Sequence, residues 1–208
     1  MDRAREQREA VNWVTQADGH VWYEYESENG SGTPKAPKWF VDVVGIDLLD
    51  NLTGVDRTGA QISDVSQLAV LKELTVLNLD HTPVIDISPL MPMCNLEALF
   101  LTNTDVSDVA ALAGLTKLKW LILNHTKVRD LTPLAGLTVL QTLDLSHTQV
   151  KDLTPLTAMK KLERLDLQRT LVSDATSLAD LTQLKMLGLS NTPLNDVTAL
   201  AALSSLTA

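Results

Sequence analysis

Three histidines of this chain fall on one spacing: His81, His125 and His147 are separated by multiples of 22 residues, with Asn103 at the intervening place. Imidazoles in register suggest a metal centre, because neutral histidine is a common ligand for zinc. A tetrahedral site needs three or four ligands and an orienting second shell, however, and Asn103 interrupts the row. Solvated loop residues are the better reading, and no metal ligands are expected. Seven aspartates, Asp64, Asp86, Asp108, Asp130, Asp152, Asp174 and Asp196, recur on the same interval. A catalytic pair of carboxylates would be unique to one place, since acid and base roles need different environments, so regular recurrence argues for backbone capping instead. Cys94 stands alone and has no histidine in register to activate it; a small buried hydrophobe at a turn is its expected role. Glycine-rich phosphate loops, paired-cysteine motifs and GxSxG are missing from the sequence. No catalytic residue and no cofactor is expected, and the chain reads as a protein that is not an enzyme.

Bulk composition narrows the classes further. In 208 residues the hydrophobic share is 45% and the aromatic share only 4%, an imbalance that reflects recurrent leucine and hints at a repeat. A net charge of -9 leaves no field to attract phosphate backbones, so nucleic acid is not an expected partner. One cysteine excludes an internal disulfide, so packing alone must hold the fold. No apolar run approaches the roughly 18 residues of a membrane span, and MDRAREQREAV lacks the apolar core of a secretory signal. Membrane insertion of this chain is therefore not expected.

The elements that carry these residues follow from the same interval. Steps of 22 from Leu74 reach Leu52, Leu96, Leu118, Leu140, Leu162, Leu184 and Leu206, and parallel columns run through Leu77, Leu79, Thr82 and Leu90. A fixed period of this length means stacked units, with the consensus LxxLxLxxTxVxDLxPLxxLxx. The LxL alternation describes a short strand with leucines inward, and stacking such strands builds a parallel sheet. The threonine after the strand can satisfy backbone groups where the chain leaves the sheet. Aspartate before L-T-P-L can cap the exposed N–H groups of a helical turn, with proline in the first turn. Only one or two short 3₁₀-like or α turns fit on that convex side.

The stretch LKWLILNHTKVRDLTPLAGLTVLQTLDLSHTQVKDLTPL resembles the 22-residue class of bacterial leucine-rich repeats, similar to those of internalins, and the likeness extends over about residues 52–206. That resemblance implies an α/β solenoid, a right-handed superhelix with parallel strands on the concave face and short helical or 3₁₀ turns on the convex face, used for protein recognition. Residues 1–51 lack the period and are expected to cap the first coil, leaving residues 52–208 as a solenoid of about seven units. RAREQREAVNWVTQA predicts a helix stopped at Asp18-Gly19, and HVWYEYES a strand with Val21, Tyr23 and Tyr25 on one face. ENGSGTPKAP predicts a loop, and KWFVDVVGIDLLDNL two short helical pieces hinged at Gly45. AVNWV, DGHVWYEYE and KWFVDVVGIDLLDNL resemble the N-terminal caps of certain bacterial leucine-rich-repeat proteins. In those relatives a membrane helix often precedes the cap, which implies an extracytoplasmic or envelope-associated setting if such an anchor precedes this chain; the residues by themselves leave the compartment open. The first coil is degenerate, with Arg57 where leucine is expected and Ala60 where threonine is expected. At the other end the chain stops at LSSLTA without a polar cap, which suits a truncated or a stacking end.

If Leu77 and Leu79 point inward, the residues between and beside them face the concave side. The surface so defined has an apolar half, Val76, Ala98, Phe100, Trp120 and Ile122, and a polar half with Asp144, Arg164 and Asp166; Asn78 and Asn124 complete the candidate contact set. An apolar cluster rimmed by polar residues marks a contact site, so the expected partner is another protein, bound by a monomeric or weakly self-associating chain. The alternatives are a structural spacer that stacks end to end and, with so few aromatic platforms, a carbohydrate-binding adhesin.

Overall fold

The computed structural model describes residues 3–15, 19–23 and 52–207. The loop read in ENGSGTPKAP, the strand beyond Tyr23 and the helical pieces of KWFVDVVGIDLLDNL lie outside the described residues, apart from Leu52, which starts a strand instead. The N-terminal helix α1 spans Arg3–Thr15 and buries Ala10, Val11 and Val14. Strand β1, His20–Tyr23, follows, and then β2 Leu52–Asp56, β3 Val76–Asn78, β4 Ala98–Phe100, β5 Trp120–Ile122, β6 Thr142–Asp144, β7 Arg164–Asp166 and β8 Met186–Gly188. Among the described residues these form one eight-stranded sheet in sequence order, β1 antiparallel to β2 and all later pairs parallel. No helix among the described residues is long and apolar enough to cross a membrane.

The repeat arithmetic becomes register. Leu77 pairs with Leu99, Leu99 with Leu121, Leu121 with Leu143 and Leu143 with Leu165, so one leucine column forms the floor of the sheet. Leu77, Leu79, Leu99, Leu101, Leu121 and Leu123 are fully enclosed, and each such side chain contributes about 1.5–3 kcal/mol of burial. The convex side consists of 3₁₀ turns, among them Ser88–Leu90, Thr132–Leu134 and Thr154–Leu156, with proline at their start.

Two details of the coil differ from, or add to, the sequence reading. Each aspartate stands one residue before the position expected of a cap: the carboxylate of Asp64, Asp86, Asp108, Asp130, Asp152, Asp174 or Asp196 accepts from the N–H two residues on at 2.8 Å. The N-cap places themselves hold apolar residues such as Ile87 and Leu131, whose side chains are needed in the core. The aspartate thus closes an Asx turn and leaves the apolar residue free to point inward.

The second detail concerns the histidine column. His81, Asn103, His125, His147, Arg169 and Asn191 all adopt left-handed backbone, with φ between 54 and 60°. For a non-glycine residue that conformation costs on the order of 1–3 kcal/mol. It turns the N–H toward the next coil, where His81 N donates to Thr102 O at 2.7 Å and His147 N to Gln168 O at 2.8 Å. The following threonine then donates its buried hydroxyl back to the leucine carbonyl three residues earlier, 2.6 Å for Thr82 and 2.7 Å for Thr126. This bond lies within one coil, so threonine closes its own turn.

Arg57 explains why the first coil departs from the pattern. The side chain, only 2% exposed, donates from Nη1 to the carbonyls of Trp13 and Val14 at the end of α1. Its guanidinium carbon lies 4.5 Å from the centre of the Trp13 ring. A cation is favoured at the negative end of a helix, and the ring face adds a cation–π contact. Burial pulls the Arg57 pKa down, yet a guanidinium remains charged at physiological pH. Gly19 closes the same joint, since a Cβ there would lie 2.3 Å from Val14 O.

Candidate functional site

The concave sheet face presents two columns. One runs Val76, Ala98, Trp120, Thr142, Arg164, Met186, and the other Asn78, Phe100, Ile122, Asp144, Asp166, Gly188, each residue beside its neighbour across the sheet. Trp120 is 40% exposed, with the Lys119 ammonium 6.0 Å from its ring centre. Val76, Phe100 and Ile122 are half-buried beside it, whereas Ala98, counted as part of the open apolar half, is 5% exposed. The reason is size: a methyl group between Val76 and Trp120 on strands about 4.8 Å apart is overshadowed by both. Ala98 therefore acts as a spacer beneath the open sheet face.

The polar residues divide by what the fold asks of them. Asn78 Oδ1 accepts from Asp80 N, Asp144 Oδ1 from Ser146 N and Asp166 Oδ1 from Gln168 N, each at 2.9 Å. These three side chains shape the strand exit as well as facing the hollow. Asn124 is half-buried, with its Oδ1 enclosed and lacking a donor among the described residues. Arg164 is exposed. Around Arg164 the face sinks into a depression of about 380 Å³ walled by Ile122, Thr142, Asp144, Arg164, Asp166 and Met186. Met186, 54% exposed, and Gly188 belong to this depression yet lie outside the ten candidate residues. Both sit in the two columns already traced, which was the signal that could have included them.

The flank of the solenoid holds the histidines. His81, Asn103, His125, His147 and Lys127 line a second depression of about 450 Å³. The rings of His125 and His147 stack at 3.8 Å with 20° between their planes. In that arrangement the nitrogen lone pairs run side by side and do not converge on a point, and no group of three or more potential ligands gathers among the described residues. Desolvation, and then the charge of His125, hold the His147 pKa below its ordinary value. Cys94 is exposed, contrary to the buried role expected for it. Its column in the coil holds Lys72, Thr116, Thr138 and Lys160, whereas the adjacent Met93 column turns inward with Leu115, Leu137 and Met159.

Known proteins share this geometry. The family model of leucine-rich repeats in two copies matches residues 116–158 and 138–181. The solved structure of internalin C2 from Listeria monocytogenes is 38% identical and superposes with a TM-score of 0.73, over 76% of this chain and 70% of that one. An internalin F of the same organism is 32% identical with a TM-score of 0.64, over 78% of this chain and 55% of that one. A leucine-rich-repeat protein of Leptospira interrogans is 25% identical with a TM-score of 0.72, over 77% of this chain and 43% of that one. A search of curated proteins found no match. The 22-residue coils, their Asx turns and their leucine floor, together with 38% identity over most of internalin C2, show that the chain belongs to the internalin-like family of bacterial leucine-rich-repeat proteins.

Proposed function

We propose that the chain is a non-catalytic recognition module that binds a partner protein through the concave sheet face. Val76, Phe100, Trp120 and Ile122 form the apolar contact, and Asn78, Asn124, Asp144, Arg164 and Asp166 the polar one. The observation that carries this reading is Trp120: an indole 40% exposed in a column where the coil tolerates threonine and arginine equally well. Packing does not account for it, and a tryptophan flanked by half-buried apolar residues is the composition of an interface anchor. A binding role also fits the family.

The double substitution Phe100→Ser/Trp120→Ser tests the assignment in a capture experiment against proteins of the native host. Retained melting temperature with lost capture is the expected result; a large drop in melting temperature would place these rings in the core. A second reading, a spacer that stacks end to end, draws on Val197, which is 60% exposed where its equivalents Val109, Leu131 and Leu153 are at most 2% exposed. Light scattering across a concentration series separates the two, since a stacking chain grows in mass with concentration and a recognition module stays monomeric.

A further inference from the structure

Resting on that reading, we propose that the concave face takes a basic and apolar segment of its partner, with a lysine or arginine side chain over the neighbouring carboxylates of Asp144 and Asp166 and an apolar side chain against Phe100, Trp120 and Ile122. Asp144 and Asp166 carry a charge that the fold does not require. The strand exit at this column asks only for an acceptor toward the backbone N–H two residues on, and the uncharged amide of Asn78 supplies it at 2.9 Å, the same length as for Asp144 and Asp166. Asp144 and Asp166 are moreover direct partners across β6 and β7. Like charges opposite each other on adjacent strands are destabilising.

Several acidic side chains find a lysine in the adjacent coil, whereas the turn aspartates, such as Asp130 beside Asp152, stand in register with no ion pair among the described residues. Lys119 pairs with Glu97 at 2.7 Å, Lys127 with Asp105 at 2.6 Å and Lys185 with Glu163 at 2.8 Å, all between adjacent coils. On the concave face no such pair forms: among the described residues neither aspartate makes an ion pair, with Arg164 or with any other cation. Gly188 lets the Asp166 carboxylate lie over its backbone, because a Cβ there would lie 2.4 Å from Asp166 Oδ1. The depression is thus lined by two adjacent carboxylates that hold hydrogen bonds, Asp166 accepting also from Gln168 Nε2 at 3.1 Å, and that pair with no cation among the described residues.

Calcium fits this place poorly, since it takes six to eight oxygen ligands and Arg164 lines the same depression. A guanidinium or ammonium needs only one or two carboxylates and carries an aliphatic stem. Ile122 adjoins Asp144 across the sheet, so the apolar anchor and the cation would lie one or two strand spacings apart, about 5–10 Å. That matches side chains of one short segment laid across the strands.

A random-peptide library displayed on phage, selected against the wild-type chain, tests the assignment. Recovered peptides should carry Arg or Lys near an aromatic or aliphatic residue. They should bind Asp144→Asn/Asp166→Asn about tenfold or more weakly, and should weaken between about 50 and about 500 mM salt. The asparagine variant keeps the backbone bonds, so its melting temperature should equal or exceed that of the wild type. Recovery of acidic or neutral peptides, unchanged binding to the asparagine variant, or no enrichment overturns the proposal. Peptides that depend on Phe100 and Trp120 but not on the aspartates sink the charge assignment and leave the concave-face reading standing. Peptides insensitive to both pairs sink both.

Discussion

The first and last coils of this solenoid carry the same core columns and bury them very differently. In the first, Val65, Leu68 and Leu71 lie beneath α1 and are enclosed to within 4%. In the last, Val197 is 60% exposed, and Leu194, Leu200 and Leu206 are half-buried. The residues hardly differ; their neighbours do. A leucine of one coil is dry only because a second coil, or a cap, lies over it, which is the physical content of a one-dimensional stack. The first coil also shows what a cap requires. It replaces a core leucine by Arg57 so that the end of α1 can be anchored by hydrogen bonds to its carbonyls.

Shortening the same leucine column at two heights of the stack separates burial by neighbours from burial by sequence. Leu121→Ala, at a fully enclosed central site, should lower the unfolding free energy by about 2–5 kcal/mol, and Leu187→Ala, at its half-buried equivalent, by clearly less, both read by urea denaturation. Equal losses would mean that burial follows sequence position and not stacking. Next in size is Arg57→Met, which leaves carbonyls at the end of α1 unpaired and should cost about 1–3 kcal/mol. Hydrogen exchange should then quicken across residues 3–15 and stay slow in β5 and β6; slowed or unchanged exchange in α1 would remove Arg57 from its anchoring role.

The smallest effect at any one site is acid lability. Hydrogen bonds to the N–H and hydroxyl of the residue two places on hold the carboxyls of Asp64, Asp130, Asp152, Asp174 and Asp196 below the ordinary aspartate value. The unfolded chain therefore takes up these protons first. The stabilisation is complete above the ordinary aspartate range and drains away as pH falls from about 4 through the lower folded values. His147, also depressed, adds a decline that starts below about pH 6.5. Urea midpoints across a pH series should show both stages, and His125→Asn should move the His147 titration upward by NMR.

How legible the site was depends on the residue. Trp120, Phe100 and Ile122 could be placed on the hollow face because alternation along a three-residue strand admits one answer once Leu77 and Leu79 point inward. The burial of Ala98 could not, since it depends on the sizes of Val76 and Trp120 on either side. The left-handed turns were hidden as well, because histidine, asparagine and arginine share that column and none of them announces a positive φ as glycine would.

What the sequence determined alone is the coil: a period of 22, leucines on one side of each strand, and an aspartate ahead of each 3₁₀ turn are short-range facts, set by alternation and turn chemistry within one unit. What only the tertiary structure decided is everything that depends on a second coil. That covers which leucines are dry, why Arg57 is buried, which carboxylates find a lysine and which face the hollow unmatched. Burial and charge pairing are properties of neighbours, and neighbours exist only once the coils are stacked.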